Sequence, residues 1–201
     1  MSRAIIEPER DEMSRLMNLV TECHHQRKIE MKTYPVDDSH ILCRGIFTEE
    51  RLRPYYKLTG ERVEAGPLHN LEILLLVKTP ELIIEDIEVL TGSLPREDCY
   101  KISNTLDCVK GLAIKGGFSA KVRELAGGSK GCTHLTHLLC TMAPAVLQGY
   151  WAISYQRRSS QGSALNKERA LKMAERLKDS CYSWREEGVA YQKLKSLLSK
   201  E

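Results

Sequence analysis

No CxxC pair occurs in the chain, although seven cysteines stand at positions 23, 43, 99, 108, 132, 140 and 181. That absence argues against a zinc ribbon and against a thioredoxin-like redox site. The odd count and irregular spacing also argue against a disulfide framework, so free thiols in a reducing compartment are expected. Long apolar runs are lacking too. Leu71–Val77 and Leu138–Leu147 are the most apolar stretches, and both fall well short of the ~20 residues a membrane helix needs. In the opening MSRAIIEPERDEM only Ala4, Ile5 and Ile6 form an apolar run, too short for the core of a secretory signal. A cytoplasmic protein with no membrane contact is therefore expected. Nor does one sign of charge dominate: 30 Lys and Arg oppose 27 Asp and Glu. A net charge of +3 is too small to predict nucleic-acid binding. From Trp151 onward 11 basic residues oppose 6 acidic ones, which reads as the solvated face of a terminal helix. Repeats and disorder-like tracts are absent.

What remains is an ordinary globular composition, 42% hydrophobic and 28% charged over 201 residues. That length buries a core without covalent staples. One domain is expected, with an N-terminal helical segment over 1–35, a sheet-and-helix core over 39–155 and a C-terminal helical segment over 164–201. Pro8, with Glu7, Glu9, Asp11 and Glu12 around it, marks a first helix carrying Met13, Leu16, Met17, Val20 and Cys23 at helical spacing. Ser39–Phe47, Pro54–Leu58, Leu71–Val77 and Leu82–Leu90 read as strands. Lys78–Glu81 is a turn, so the last two pair antiparallel. Ile83, Ile84, Ile87 and Val89 alternate imperfectly, which predicts a bulge.

From Pro95 the pattern turns helical. One helix is predicted through Cys99, Ile102, Leu106 and Val109, and a short one over Ser119–Leu125. A long apolar helix is predicted over Thr133–Trp151, kinked or bounded at Pro144. Gln156–Ser163 reads as a linker, and the last helix starts near Asn166 with a stripe of Ala170, Met173, Leu177 and Cys181. Strands followed by helices give an α+β fold, a small antiparallel sheet with helices packed on one face.

Candidate chemistry lies at the junctions between elements. In Gly127–His137 (GGSKGCTHLTH) a glycine-rich turn feeds a helix start, where free backbone N–H groups favour a thiolate at Cys132. His134 follows two residues later. His137 faces an apolar helix side and reads as a core or interface histidine. Cys99 opens the helix after the hairpin, and His69 sits in GPLHN at the entrance to a strand. Convergence of these junctions would assemble His69, Cys99, Cys132 and His134 as a nitrogen and sulfur ligand set suited to zinc or an iron–sulfur cluster. Each of these residues also has a purely structural reading as a turn or packing residue.

Two resemblances bear on that set. CRGIF, GPLHN, GGF, GGSKGCTHLTHLL and DSCYSWREEG together resemble a bacterial domain family of unknown function, over roughly residues 40 to 190. Members of that family usually carry Asp after the loop histidine, where this chain has Asn70. More distantly, the order of elements is similar to that of U-type iron–sulfur cluster assembly scaffolds. Cys99 matches their second cysteine, and Cys132 with Leu135 matches their third. Pro67 and Leu68 stand at the first cysteine, with His69 close to the aspartate, and Gly131 replaces the histidine before the third. This resemblance implies a related fold with an altered metal or thiol site.

Three functions stay open at this point. The first is a metal-binding protein using Cys99, Cys132, His69 and His134. The second is a cysteine-dependent acyl or thioester enzyme, with Cys132 as nucleophile and His134 or His69 as base. The third is a module for a protein partner or a homo-oligomer, using the apolar helix from Leu135 to Trp151.

Overall fold

A computed structural model describes residues 15–160, 170, 171, 174, 175 and 177–198. Its centre is a four-stranded antiparallel sheet of β1 (His25–Pro35), β2 (His40–Arg51), β5 (Gly66–Lys78) and β6 (Ile83–Thr91), in that order across the sheet. A small hairpin of β3 (Tyr55–Tyr56) and β4 (Arg62–Val63) interrupts the link between β2 and β5. Two helices follow, α1 (Phe118–Ala126) and α2 (Thr133–Ser160). The fold is α+β, as the sequence pattern predicts.

Period-two alternation decides which sheet face is covered. Ile41, Cys43 and Phe47 on β2, with Leu71, Ile73, Leu75 and Val77 on β5, are all buried on one face. Leu135, Leu138, Leu139, Met142 and Val146 of α2 form a stripe at helical spacing and complete the same core, joined by Phe118, Val122 and Ala126 of α1. Burying a Leu or Val side chain contributes about 1.5–3 kcal/mol, so this layer holds the fold together. The predicted bulge is present. Leu76 pairs with Asp86 and Val77 with Ile84, which leaves Glu85 out of register. Ile84 and Ile87 therefore both face the core although three positions apart.

Two glycines let α2 lie close to the sheet. A Cβ on Gly45 would stand 2.6 Å from Met142 Sδ, and one on Gly149 would stand 2.3 Å from Thr33 Oγ1. Pro144 lies inside α2 and does not bound it. Its ring removes one backbone bond, which the packing on either side outweighs.

Other expectations need correction. The helical reading of 1–35 gives way to strand β1 from His25 onward. In the described part before it, the only regular element is the 3-10 turn Met17–Leu19, and the rest of the predicted first helix lies outside the described residues. The helix expected from Pro95 is instead two 3-10 pieces, Glu97–Ile102 and Asp107–Val109. Ser103, Asn104 and Thr105 lie between them. Such side chains compete for backbone partners, and Thr105 Oγ1 donates to the Ile102 carbonyl at 2.8 Å. Residues 156–160 of the expected linker belong to α2.

The chain divides into two compact units, one ending at Ile153 and the other starting at Ser154. In the second, Ala174, Leu177 and Tyr191 are buried, and the segment Val189–Leu198 is helical. Cys181, expected on an apolar stripe, is exposed, because the helix stops at a turn in which Asp179 has φ +56°. Among the described residues no helix is long and apolar enough to cross a membrane.

Candidate functional site

The inward phase of β2 does not end with Phe47. Continuing Ile41, Cys43, Gly45 and Phe47 by one more step places Glu49 on the covered face, where it is 6% exposed. Strand register then sets its neighbours. Arg27 of β1 is its partner on one side and His69 of β5 its partner on the other, so Arg27, Glu49 and His69 form one row across three strands. The register of β2 and β5 shifts just beyond this row, between Glu49 and Glu50. Bulges of this kind re-aim side chains near functional sites.

The carboxylate of Glu49 is divided between two sets of partners. Its Oε1 accepts from Arg27 Nε at 3.1 Å and Nη2 at 2.6 Å, and lies 2.8 Å from His25 Nε2. Its Oε2 lies 2.6 Å from His69 Nδ1. Burial works against the charge, but hydrogen bonds from Arg27, His25 and His69, with the Arg27 charge, outweigh it and hold the carboxyl down to about 2. The Arg27 guanidinium also lies over the Phe47 ring, 5.0 Å from its centroid, which fixes its approach.

α2 supplies the fourth side of the cluster. Its second residue, His134, sits with its ring centroid 4.0 Å from that of His69 and 5.3 Å from that of Phe47. His134 Nε2 lies 3.9 Å from Glu49 Oε2. Burial and the neighbouring His69 lower the pKa of His134, which favours the neutral imidazole with a free lone pair. On its other side His134 Nδ1 lies 3.8 Å from Cys132 Sγ. Cys132 holds the cap position of α2, since its carbonyl accepts the first helical bond from Thr136 N–H at 2.9 Å. One ligand atom each from Glu49, His69 and His134 fall within 4.8 Å of one another.

Residues 25–148 match the family described as a protein of unknown function, DUF2889. The chain belongs to the DUF2889 family. No curated protein and no solved structure matches it. The DUF2889 match begins at His25 and contains the whole cluster of Arg27, Glu49, His69, Cys132 and His134.

The DUF2889 fold thus brings together two of the four residues expected as ligands, His69 and His134, and places Cys132 behind His134. Cys99 lies in the 3-10 helix Glu97–Ile102, half-buried, and is not part of the Glu49 cluster. His137, expected in the core or an interface, is exposed because it falls between the buried positions Leu135 and Leu138 on α2. Glu49, Arg27 and His25 went unread in the sequence. The available signal was phase, since a carboxylate two residues beyond Phe47 continues an alternation that is otherwise apolar.

Proposed function

We propose that this protein binds a divalent transition-metal ion, zinc in the first place, through Glu49, His69 and His134. One observation carries this reading: an ionised carboxylate and two imidazoles present donor atoms within 4.8 Å of one another. Ligand atoms ~2.1 Å from a tetrahedral ion stand about 3.4 Å apart, so a small side-chain rotation completes the sphere. Two imidazoles and one carboxylate are a donor set that suits zinc or ferrous iron. Thiolates, which an iron–sulfur cluster requires, do not belong to this group. Arg27 and His25 hold Oε1, Oε2 exchanges its contact with His69 Nδ1 for the ion, and Cys132 orients His134 from behind. Such outer partners usually accompany metal ligands. The test is elemental analysis of the purified full-length protein. One equivalent of zinc or iron, lost in a His69→Ala, His134→Ala double variant, supports the reading. Metal content that survives those two substitutions refutes it.

A second reading rests on a different observation. Cys132 Sγ, His134 and Glu49 follow one another at 3.8 and 3.9 Å, in the order of nucleophile, base and orienting carboxylate. In this reading the thiol passes its proton to His134, the sulfur forms a new thioester with the acyl carbon, and the substrate's bond to its alcohol or thiol breaks, the departing group taking the proton back from His134. Rapid alkylation by iodoacetamide at Cys132 in metal-free protein, slowed in His134→Ala, would support it. A rate equal to that of a free exposed cysteine would exclude it.

A further inference from the structure

Three protein donors leave positions on a metal ion for an incoming ligand. The surroundings of those positions carry an excess of positive charge. Glu49, His69 and His134 are 6%, 12% and 29% exposed, whereas Arg27 and His25 are 44% and 47% exposed. The cluster therefore meets solvent on the β1 side, where its cations stand. Arg27 uses Nε and Nη2 on Glu49, and Nη1 remains for another acceptor. His25 pairs across the sheet with Arg51, which lies on the same face of β2 as Glu49, two residues on. The Arg51 guanidinium rests 3.8 Å above the Tyr55 ring, and its Nε is buried with no hydrogen-bond partner. Arg27 and His25 thus bond to the one buried carboxylate among the described residues, Arg51 follows it on the same strand face, and a divalent ion would add to that positive charge.

We infer that the substrate of this site is a small molecule bearing a carboxylate. One of its oxygens completes the metal sphere, and the guanidinium groups of Arg27 and Arg51 receive the rest of the anion. A planar guanidinium matches a planar carboxylate through paired N–H donors, which an uncharged amide cannot reproduce. This inference rests on the metal reading above, and the experiment separates the two.

The full-length protein is loaded with cobalt(II) in place of zinc and its cobalt content is measured. Acetate is then titrated while the visible bands of the cobalt are followed, with acetamide as the uncharged control. Acetate should shift the bands saturably and acetamide should not. Arg51→Met keeps the apolar contact with Tyr55 and lies outside the metal donors. It should bind cobalt as before and weaken acetate by about tenfold, the loss expected for one charge-assisted pair. Arg51→Lys keeps the charge without the fork, gives an intermediate value, and decides the matter if Arg51→Met does not fold. A protein that takes up no cobalt overturns the metal reading and this inference with it. A protein that binds cobalt but responds equally to acetate and acetamide, or whose Arg51 variants bind acetate like the unmodified chain, overturns this inference alone.

Discussion

Glu49 and His69 stand directly opposite one another on neighbouring antiparallel strands, with Nδ1 2.6 Å from Oε2. Neither comes from a flexible loop: both are held by the ladder of the sheet. A carboxylate this buried has little water to replace lost partners, so its neighbours are required for the fold.

Replacing Glu49 by Gln is expected to act twice. Arg27 and His25 lose their counter-charge, and stability should fall by about 1–3 kcal/mol, less than for a wholly buried pair because Arg27 is partly solvated. Zinc affinity should fall together with it. Urea denaturation of the metal-free protein reads the first effect and competition against a coloured chelator reads the second. A variant as stable as the parent would show that the carboxylate has no structural role.

The acid branch of the stability profile carries the same signature. The Glu49 carboxyl lies at about 2 in the folded chain against an ordinary 4.5. A depressed carboxyl stabilises fully above its unfolded value, and that contribution disappears as pH falls from about 4.5 towards 2. The linkage amounts to about 3 kcal/mol. Denaturation midpoints measured between pH 7 and pH 2 should drop across that window, and the drop should be smaller in Glu49→Gln. Identical profiles for the two proteins would remove Glu49 as the cause.

The sheet was largely legible in the sequence, and the reason bears on the site. β2, β5 and β6 announce themselves by apolar alternation, and even the displaced Glu85 could be foreseen from the broken phase of Ile83, Ile84, Ile87 and Val89. β1 did not, because an edge strand buries only one side of itself and carries Lys28, Glu30 and Lys32 on the other. Once the chain past His24 is read as the polar tail of a helical segment, Arg27 and His25 have no place in a site. Glu49 escapes for a different reason: hydrophobicity on β2 stops at Phe47, although the strand and its period continue. The helix expected from Pro95 failed because apolar spacing there outlasts the backbone's ability to stay helical through Ser103–Thr105. His69 and His134 were found because each sits at a junction, and junctions are visible without a fold.

The cysteines can be ranked by substitution. Cys132→Ala, which removes the partner of His134 Nδ1, should weaken zinc by about 10-fold or more, as losses behind a ligand usually do. Cys99→Ala should leave zinc affinity unchanged. A large loss from Cys99→Ala would restore the sulfur ligand drawn from the sequence and displace Glu49.

Packing between α2 and the sheet gives a further prediction. Gly149→Ala drives a methyl group onto the branched side chain of Thr33, which cannot swing aside as a longer chain would. The cost should be about 1–3 kcal/mol, the usual range for overpacking. Thr33→Ser in the same chain should recover part of it. Thermal melts of the single and double variants measure both effects, and additive losses would place the clash elsewhere.

The contact of Met142 with Gly45 also sets a distance. Met142 and His134 lie eight residues apart on one helix, about 12 Å at 1.5 Å per residue. The helix is thus a ruler whose zero mark is the notch at Gly45, and His134 is read off at its far end. A side chain added at Gly45 touches none of the donors, yet it lifts or slides the ruler, and the imidazole moves relative to Glu49 and His69. The tolerance of the cluster is therefore decided two helical turns away, at a position that carries no functional group of its own.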